Sequence, residues 1–281
     1  MPSPALPPHI ALDGVTLEVR HIDGASDLAP LVFLHEGLGS VSLWTQRGRD
    51  WPQALCAATG RAGWLYSRRG YGRSDPIPDV RGEHRAAPPN GLWSSGRHTT
   101  HYMHHEAWRV LPRLLQALRV ERPVLVGHSD GATIALLHAA RRPVAGCVVM
   151  APHLMIEDIA LKAIAEARET YLASGGQQGL RSRLARHHAD VDNAFWQWND
   201  IWLSEAFRAF DIRAICRDIA GPLLAVQGLK DEYGTLAQLD AVAQAVPQAQ
   251  RLELPDCGHS PHRDQFDALT ERVMAFVSGL A

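Results

Sequence analysis

Cysteine is scarce in this chain of 281 residues, and the four cysteines that occur lie far apart. They are Cys56, Cys147, Cys216 and Cys257. Zinc sites and redox-active pairs need two cysteines close together, as in C-x-x-C, and the sequence has no such pair. The spacing therefore predicts reduced, buried thiols, which suit a cytoplasmic protein, and no bound metal.

Long hydrophobic runs and an excess of one charge are also absent. No stretch reaches the roughly 18 apolar residues of a membrane-spanning helix, and residues 1–8 lack the basic and apolar segments of a secretory signal. The 28 Lys and Arg residues nearly balance 30 Asp and Glu, giving a formal net charge of −2. We therefore expect a cytoplasmic monomer or small homo-oligomer that acts on a small-molecule substrate, without nucleic-acid or membrane partners.

Short apolar runs that alternate with longer helical patterns predict the fold class. The runs that read as strands are residues 30–34, 63–67, 123–126, 144–150, 222–226 and 251–254. Several are apolar on both faces, which is typical of a mostly parallel central sheet with helices on both faces. Residues 15–19 instead alternate apolar and polar after an Asp-Gly turn, which predicts an antiparallel hairpin at the sheet edge. The sequence thus indicates an α/β protein.

One interval interrupts this alternation. Residues 153–218 are polar and helical in pattern, which predicts an inserted helical cap on a core domain made of residues 1–152 and 219–281. Aromatic residues crowd the end of the interval. Trp196 and Trp202 are candidates to line a pocket for an apolar substrate group, and the alternative is that they form the cap's own core.

The chemistry is concentrated at residues 127–131, which read G-x-S-x-G directly after an apolar run. This pattern forms a nucleophile elbow, a strained strand-to-helix turn that exposes the serine hydroxyl. Gly127 and Gly131 leave room for neighbouring backbone to pass close. The pattern therefore predicts Ser129 as a nucleophile.

A serine nucleophile needs a base, an orienting acid and donors for the oxyanion. Asp231 follows the strand at 222–226 and is the candidate acid, with the adjacent Glu232 as an alternative. His259, in a Gly-His-Ser-Pro loop after the last strand, is the candidate base, although His262 lies nearby. His259 lies 28 residues after Asp231, and the interval holds one helix and one strand, so both side chains reach the same sheet edge.

The oxyanion donors are expected on two loops. One donor is the backbone N–H of Asp130, the residue after the nucleophile. The other is expected in the glycine-containing loop 35–40, where we choose the backbone N–H of Gly37.

In this order, and with the loop at residues 67–75, these motifs resemble the α/β-hydrolase superfamily over nearly the whole chain. The resemblance implies a serine hydrolase that works through an acyl-enzyme on Ser129, with His259 as base and Asp231 orienting it. It implies hydrolysis of a small carboxylic ester and no cofactor. A nucleophilic serine argues against dehalogenases and epoxide hydrolases of this fold, which carry an acid there.

The sequence departs from the superfamily pattern at Glu36, which stands where a glycine usually follows the histidine. A carboxylate there opposes an oxyanion unless it faces away, is protonated or is paired, and Arg68 and Arg69 are candidate partners. Asp130 makes the elbow similar to that of the biphenyl-hydrolase-like branch, in which an acid receives a substrate amine. We hypothesise that Glu36 or Asp130 favours a cationic or hydrogen-bond-donating acyl group. The alternative for Asp130 is stabilisation of the first helical turn.

Other functions remain open at this level. Carbon–carbon bond hydrolases of aromatic degradation, thioesterases and amidases share fold and triad, and a non-catalytic ligand-binding protein of hydrolase fold is the alternative of another class.

A histidine-rich stretch at residues 98–105 suggests either a metal site or a solvated helix start at the mouth of the active site. We expect the latter, because zinc usually needs three or four ligands.

Overall fold

The computed structural model describes residues 8–173 and 179–280, and within them eight strands form one sheet. The strands are β1 His9–Leu12, β2 Val15–Ile22, β3 Leu31–Leu34, β4 Thr45–Gln46, β5 Arg49–Asp50, β6 Gly63–Tyr66, β7 Val124–His128, β8 Gly146–Met150, β9 Leu223–Gly228 and β10 Gln250–Leu254. The short β4 and β5 pair only with each other. Each of the six runs predicted as strands overlaps an observed strand.

The sheet order is β1-β2-β6-β3-β7-β8-β9-β10. β2 pairs antiparallel with β1 and with β6, and the remaining neighbours are parallel. Every residue of β3, β6, β7, β8 and β9 is buried, because helices cover both faces of these strands. The predicted α/β class and the antiparallel hairpin at the edge are therefore confirmed.

Helices fill the connections between the parallel strands. They are α1 Trp51–Thr59, α2 Tyr102–His105, α3 Leu111–Ala117, α4 Asp130–Ala139, α5 Asp158–Leu172, α6 Leu180–Leu184, α7 Val191–Trp202, α8 Arg213–Cys216, α9 Ala237–Ala245, α10 Pro261–Asp264 and α11 Phe266–Ser278. Two 3₁₀ turns occupy Ser42–Trp44 and Glu205–Ala209. None of the helices in the described ranges is long and apolar enough to cross a membrane.

The helical segment at residues 102–117 is not one continuous α-helix. A π-helical turn, Glu106–Val110, separates α2 from α3, and the N–H of Leu111 donates to the carbonyl of Glu106 five residues back. Pro112 lies in the first turn of α3. Proline has no N–H to donate within an α-helix. A change of the backbone hydrogen-bond pattern just before it therefore costs little free energy.

Between β8 and β9 the described chain is helical, running from α5 through α8. The helices α5 and α7 are held together by polar contacts: Asn199 Nδ2 donates to the carbonyl of Ile164 at 3.1 Å. Phe195 and Phe207 are fully buried there. This interval coincides with the predicted cap, and its separation from a core domain remains a prediction.

The turn between β7 and α4 is pressed against the end of β3. A Cβ atom at Gly131 would overlap the backbone carbonyl of Leu34, and one at Gly127 would overlap the carbonyl of Gly131. Both glycines are therefore required by the close approach of backbone to backbone, as the elbow pattern predicts.

This packing predicts that Gly131→Ala destabilises the protein although it lies in a helix, where alanine is normally favoured by roughly 0.5–1 kcal/mol. We expect a loss of about 1–3 kcal/mol in the free energy of unfolding, because backbone must shift. Gly221→Ala is the matched control: its nearest neighbour is Val144 Cγ2, at 3.9 Å. Urea denaturation measures both, and equal stabilities would contradict the close packing.

Candidate active site

Ser129 lies between β7 and α4 in a backbone conformation that side chains rarely adopt, with φ 53° and ψ −117°. Such a strained turn persists only where surrounding structure fixes it. Here the fixing elements are the flanking strand and helix: the N–H of Ser129 donates to Met150 O, and its carbonyl accepts from Thr133 N. The turn places Ser129 on a cavity of about 200 Å³.

His259 lines the same cavity, which we call the reaction cavity. It lies in the loop between β10 and α10, and its Nδ1 is 2.9 Å from each carboxylate oxygen of Asp231, in the loop after β9. Two elements distant in sequence thus bring the predicted base and acid together. Burial alone raises the pKa of Asp231, but the charge and hydrogen bond of His259 outweigh it, so the pKa is lowered and the carboxylate stays ionised.

The adjacent acid, Glu232, has a different position. Its carboxylate accepts from the backbone N–H of His259 at 3.3 Å, and the imidazole is left to Asp231. The N–H of Tyr233 donates to Asp231 at 2.8 Å. The geometry therefore favours Asp231 over Glu232 as the orienting acid.

The reaction cavity lies between the sheet edge and the helices α5 and α7. The described residues that line it are Glu36, Gly37, Leu38, His128, Ser129, His153, Ile164, Trp198, Trp202, Glu232, Tyr233, His259, Ser260 and Arg263. Of the residues predicted to contact substrate, Glu36 and Trp202 belong to this lining, and Asp130 and Trp196 do not. Gly37, chosen as an oxyanion donor, also lines the cavity.

Trp196 packs within the helical segment. Its ring lies 5.0 Å from that of Phe195, and the guanidinium of Arg81 lies 3.8 Å above it. The prediction missed Trp198, which lines the cavity instead. The spacing was the available signal: Trp198 and Trp202 are four residues apart and share one face of α7, whereas Trp196 is on another face.

Trp198 lies directly against the loop at residues 35–40. A Cβ atom at Gly37 would overlap the Trp198 indole, so only glycine fits at that position. His153, which sequence reasoning also missed, lies with its ring 5.0 Å from Trp202 and 5.8 Å from His259. Burial lowers the pKa of His153 to about 3, so this ring is neutral beside the candidate base.

The partner of Glu36 is His128, and the expected pairing with Arg68 or Arg69 is wrong. Arg68 donates to the backbone carbonyls of His35 and Glu36, at 2.5 and 3.1 Å. The Glu36 carboxylate instead lies 3.3 Å from Nδ1 of His128. Arg68 approaches the loop from the neighbouring strand as expected, but the N–H groups of its guanidinium donate to two backbone carbonyls there and not to a carboxylate.

Both ring nitrogens of His128 face acceptors, because Nε2 lies 2.6 Å from the carbonyl of His259. A carbonyl only accepts, so Nε2 carries a proton, and the Glu36 carboxylate favours a second proton on Nδ1. Burial lowers the pKa of His128, but the hydrogen bond and charge of Glu36 outweigh it and raise the pKa overall. Burial alone would raise the pKa of Glu36, but the hydrogen bond and charge of His128 outweigh burial, and the pKa of Glu36 is lowered overall. The geometry and both pKa directions therefore favour an ionised Glu36 paired with an imidazolium.

Asp130 is fully buried, and its carboxylate is used within the protein. The Tyr102 hydroxyl donates to it at 2.7 Å, and Arg68 Nη2 lies 3.5 Å away. Trp202 Nε1 in turn donates to the Tyr102 oxygen at 2.9 Å. Burial raises the pKa of Asp130 even though Arg68 opposes the shift. Of the two acids near Ser129, Glu36 is thus the one that lines the reaction cavity.

The histidine-rich stretch at residues 98–105 does not line the reaction cavity within the described residues. The His98 ring stacks on Tyr102 at 4.9 Å between centroids, and His105 Nε2 lies 2.8 Å from the carbonyl of Leu92. In the part of the chain that the structure describes, no three His, Cys, Asp or Glu side chains are arranged to hold a metal ion.

A strained elbow serine, with a histidine–aspartate pair on the same cavity at the carboxyl edge of a mostly parallel sheet, invites comparison with known families. A sequence model of the Alpha/beta hydrolase family matches residues 31–272. The chain belongs to the alpha/beta hydrolase family. A relative in Mus musculus, "sn-1-specific diacylglycerol lipase ABHD11", is 25% identical over 287 residues, which cover 93% of this chain and 85% of the relative.

Solved structures of hydrolases share the fold at low identity. The enol-lactonase from Burkholderia xenovorans LB400 has a TM-score of 0.68 and 21% identity, with 96% of this chain and all of that chain covered. A meta-cleavage product hydrolase from Pseudomonas fluorescens IP01 has a TM-score of 0.66 and 15% identity, with 95% and 96% covered. At these identities the likeness concerns the fold alone.

The Glu36–His128 pair predicts a stability contribution that depends on pH. The lowered pKa of Glu36 adds stability above about pH 4.3, and the raised pKa of His128 adds stability that is complete below about pH 6.5 and lost as pH rises through the raised value. We expect Glu36→Gln to lower the free energy of unfolding by about 1–3 kcal/mol between these limits, and by less at higher pH.

The matched control is Glu232→Gln, because Glu232 is an exposed acid on the same cavity. We expect it to change stability by about 0.5 kcal/mol or less. Chemical denaturation at a series of pH values measures both variants. A Glu36→Gln deficit that stays constant up to pH 9 would show that the charged pair is not its cause.

Proposed function

We propose that this chain is a serine hydrolase that cleaves a small carboxylic ester through an acyl-enzyme formed on Ser129. The supporting observation is that His259, held by Asp231 through Nδ1, lines the same cavity as the strained Ser129. With Nδ1 engaged, Nε2 is the nitrogen left to take the serine proton and later to return it to the leaving group. Water then attacks the acyl-enzyme by the same route.

The oxyanion of each tetrahedral intermediate is proposed to lie against the backbone N–H groups of Gly37 and Asp130. Gly37 lies in the loop after β3 and Asp130 is the first residue of α4, and the surrounding packing fixes both, so these donors need no rearrangement during the reaction. Pairing of Glu36 with His128 supports this assignment, because it offsets the one negative charge on the oxyanion loop.

The cavity supports a small, apolar substrate group. Its volume of about 200 Å³ is below the range of pockets for drug-sized ligands. Its apolar wall is formed by Leu38, Ile164, Trp198 and Trp202. Similarity to a lipase and to an enol-lactonase, both named for ester chemistry, favours an ester bond.

A carbon–carbon bond hydrolase is the second candidate. It is favoured by the likeness to the meta-cleavage product hydrolase and by the two tryptophans on the cavity, which suit an aromatic group. Thioesterase and amidase activities, and a non-catalytic binding role, have no particular contact in their favour.

A fluorophosphonate probe tests the nucleophile. We expect labelling of the wild-type chain, none of Ser129→Ala, and a rate about 10³- to 10⁴-fold lower for Asp231→Asn, since the imidazole loses its orienting charge. The control is Ser260→Ala, which removes another serine hydroxyl from the same cavity and should leave labelling unchanged.

The same proteins, given matched esters, thioesters and ring-cleavage products, identify the bond that is cleaved. We expect the highest kcat/KM for esters with a small apolar acyl or alcohol group. Turnover of ring-cleavage products alone would replace the ester proposal by the second candidate. Neither labelling nor turnover of any activated substrate would favour the binding role.

Selectivity for a cationic or hydrogen-bond-donating acyl group is now proposed for Glu36 alone. We expect aminoacyl esters to lose more kcat/KM than matched neutral esters in Glu36→Gln, by about tenfold, the loss of one charge-assisted hydrogen bond. Asp130→Asn is the comparison, because its carboxylate does not line the reaction cavity within the described residues. Equal losses for both ester types in Glu36→Gln would exclude this role.

A further inference from the structure

A second cavity, of about 330 Å³, lies beside α2. Within the described residues it shares no lining residue with the reaction cavity. One side is formed by the loop that precedes α2, with Pro88, Pro89 and Trp93, and the floor includes Tyr102. The volume is within the range of small-molecule sites, so the cavity is large enough for a ligand of its own.

The lining of the second cavity is rich in cations that lack an acidic partner. Arg69 donates to the carbonyls of Pro76 and Ser94 at 3.2 and 3.0 Å, and the charge of Asp75 acts on it without forming an ion pair within the described residues. Arg109 donates only to the carbonyl of Gly91, at 3.5 Å, among the contacts recorded for the described residues. Carbonyls satisfy N–H groups but do not neutralise the charge, so these two guanidiniums attract an anion.

The acid in this lining does little to offset that charge. Glu106 accepts a hydrogen bond from the Tyr66 hydroxyl at 2.8 Å. Burial raises its pKa, although Arg68 opposes the shift, so its negative charge is disfavoured. Arg68 also lines the cavity but is paired with Asp130. The excess positive charge therefore belongs to Arg69 and Arg109.

A buried donor in the same lining lacks a partner. Gln197 is 2% exposed, and its Oε1 lies 3.1 Å from Nε2 of His98. Its amide nitrogen has no hydrogen-bond partner among the described residues. An unsatisfied buried donor costs about 1–3 kcal/mol, and an acceptor oxygen of a bound ligand would remove that cost.

We propose that the second cavity is a binding site for a small organic carboxylate with an apolar body, and that its occupancy changes turnover in the reaction cavity. The carboxylate is placed against Arg69 and Arg109, and the apolar body against Trp93, Pro88 and Pro89. Binding at this site is independent of the proposed function. The effect on turnover rests on it.

The coupling follows a chain of buried contacts. Tyr102, on the floor of the second cavity, donates to Asp130, the residue after the nucleophile, and accepts from Trp202 on the reaction cavity. Arg68 joins the same floor to the oxyanion loop through the carbonyls of His35 and Glu36. A ligand that moves Tyr102 or Arg68 therefore alters both the wall and the donor loop of the reaction cavity.

Calorimetric titration with benzoate tests binding, with benzamide as a neutral molecule of the same shape. We expect one benzoate per chain, weaker binding of benzamide, and a loss of benzoate affinity of about tenfold or more in Arg109→Gln. Arg113→Gln is the matched control, because it removes an exposed arginine one helical turn away that does not line the cavity within the described residues. It should bind benzoate as the wild type does.

Two further variants separate the cavities. Ala87→Trp should abolish binding by filling the second cavity without removing a cation, and Ser129→Ala should leave binding unchanged. Thermal unfolding verifies that each variant folds. No benzoate binding at millimolar concentration, or binding that survives both Arg109→Gln and Ala87→Trp, overturns the site.

Inhibition patterns distinguish the source of the carboxylate. Benzoate at the second cavity should change kcat in a manner that substrate does not compete away and that Arg109→Gln removes. The acid product of the best ester should add a competitive component, insensitive to Arg109→Gln, if it also occupies the reaction cavity. Unchanged turnover at saturating benzoate overturns the coupling, and the absence of any turnover tests the proposed function instead.

Discussion

The buried guanidinium of Arg68 holds together the three loops on which the site depends. It extends from the end of β6, donates to the carbonyls of His35 and Glu36 after β3, and lies 3.5 Å from the carboxylate of Asp130 at the start of α4. Burial alone would lower the pKa of Arg68, but the groups around it outweigh burial, and the pKa is raised overall. Removing one partner from such a buried pair typically costs about 3–5 kcal/mol, because the other charge is left uncompensated.

This arrangement explains how two acids are accommodated beside Ser129. Asp130 lies 3.5 Å from Arg68 and accepts a hydrogen bond from Tyr102, and Glu36 is paired with His128, whose other ring nitrogen donates to the carbonyl of His259. Each acid thus has a separate cation, and each cation also bonds to backbone of a neighbouring loop. Electrostatic neutralisation and positioning of the loops are therefore performed by the same contacts.

The sequence was sufficient for features that depend on local pattern and chain order. Buried runs predicted the strands, and the glycines at 127 and 131 predicted a turn whose close contact with Leu34 the structure confirms. The order of serine, acid and histidine predicted that Asp231 and His259 meet. These inferences rest on the chain order of the triad template and on the rule that parallel strands end at one sheet edge.

Features that depend on partners distant in sequence were not accessible. The pairing of Glu36 with His128 spans 92 residues, and nothing local distinguishes it from the expected pairing with Arg68. The burial of Asp130 under Tyr102 also requires the fold. The sequence could in principle have favoured Trp198 over Trp196, because Trp198 shares a helix face with Trp202 and Trp196 does not. That inference requires α7 to be one continuous helix.

The helix α7 links the size of the reaction cavity to the buried polar contacts beneath it. Trp198 lies against Gly37 on the oxyanion loop, and Trp202, one turn later, both lines the cavity and donates to Tyr102. The turn that carries Ser129 is held by the sheet, through the fit of Gly131 against Leu34. Substitutions along α7 thus change the space in the cavity while the turn that carries Ser129 keeps its support. Under the proposed function, specificity and the positioning of the reactive group are therefore set by different elements.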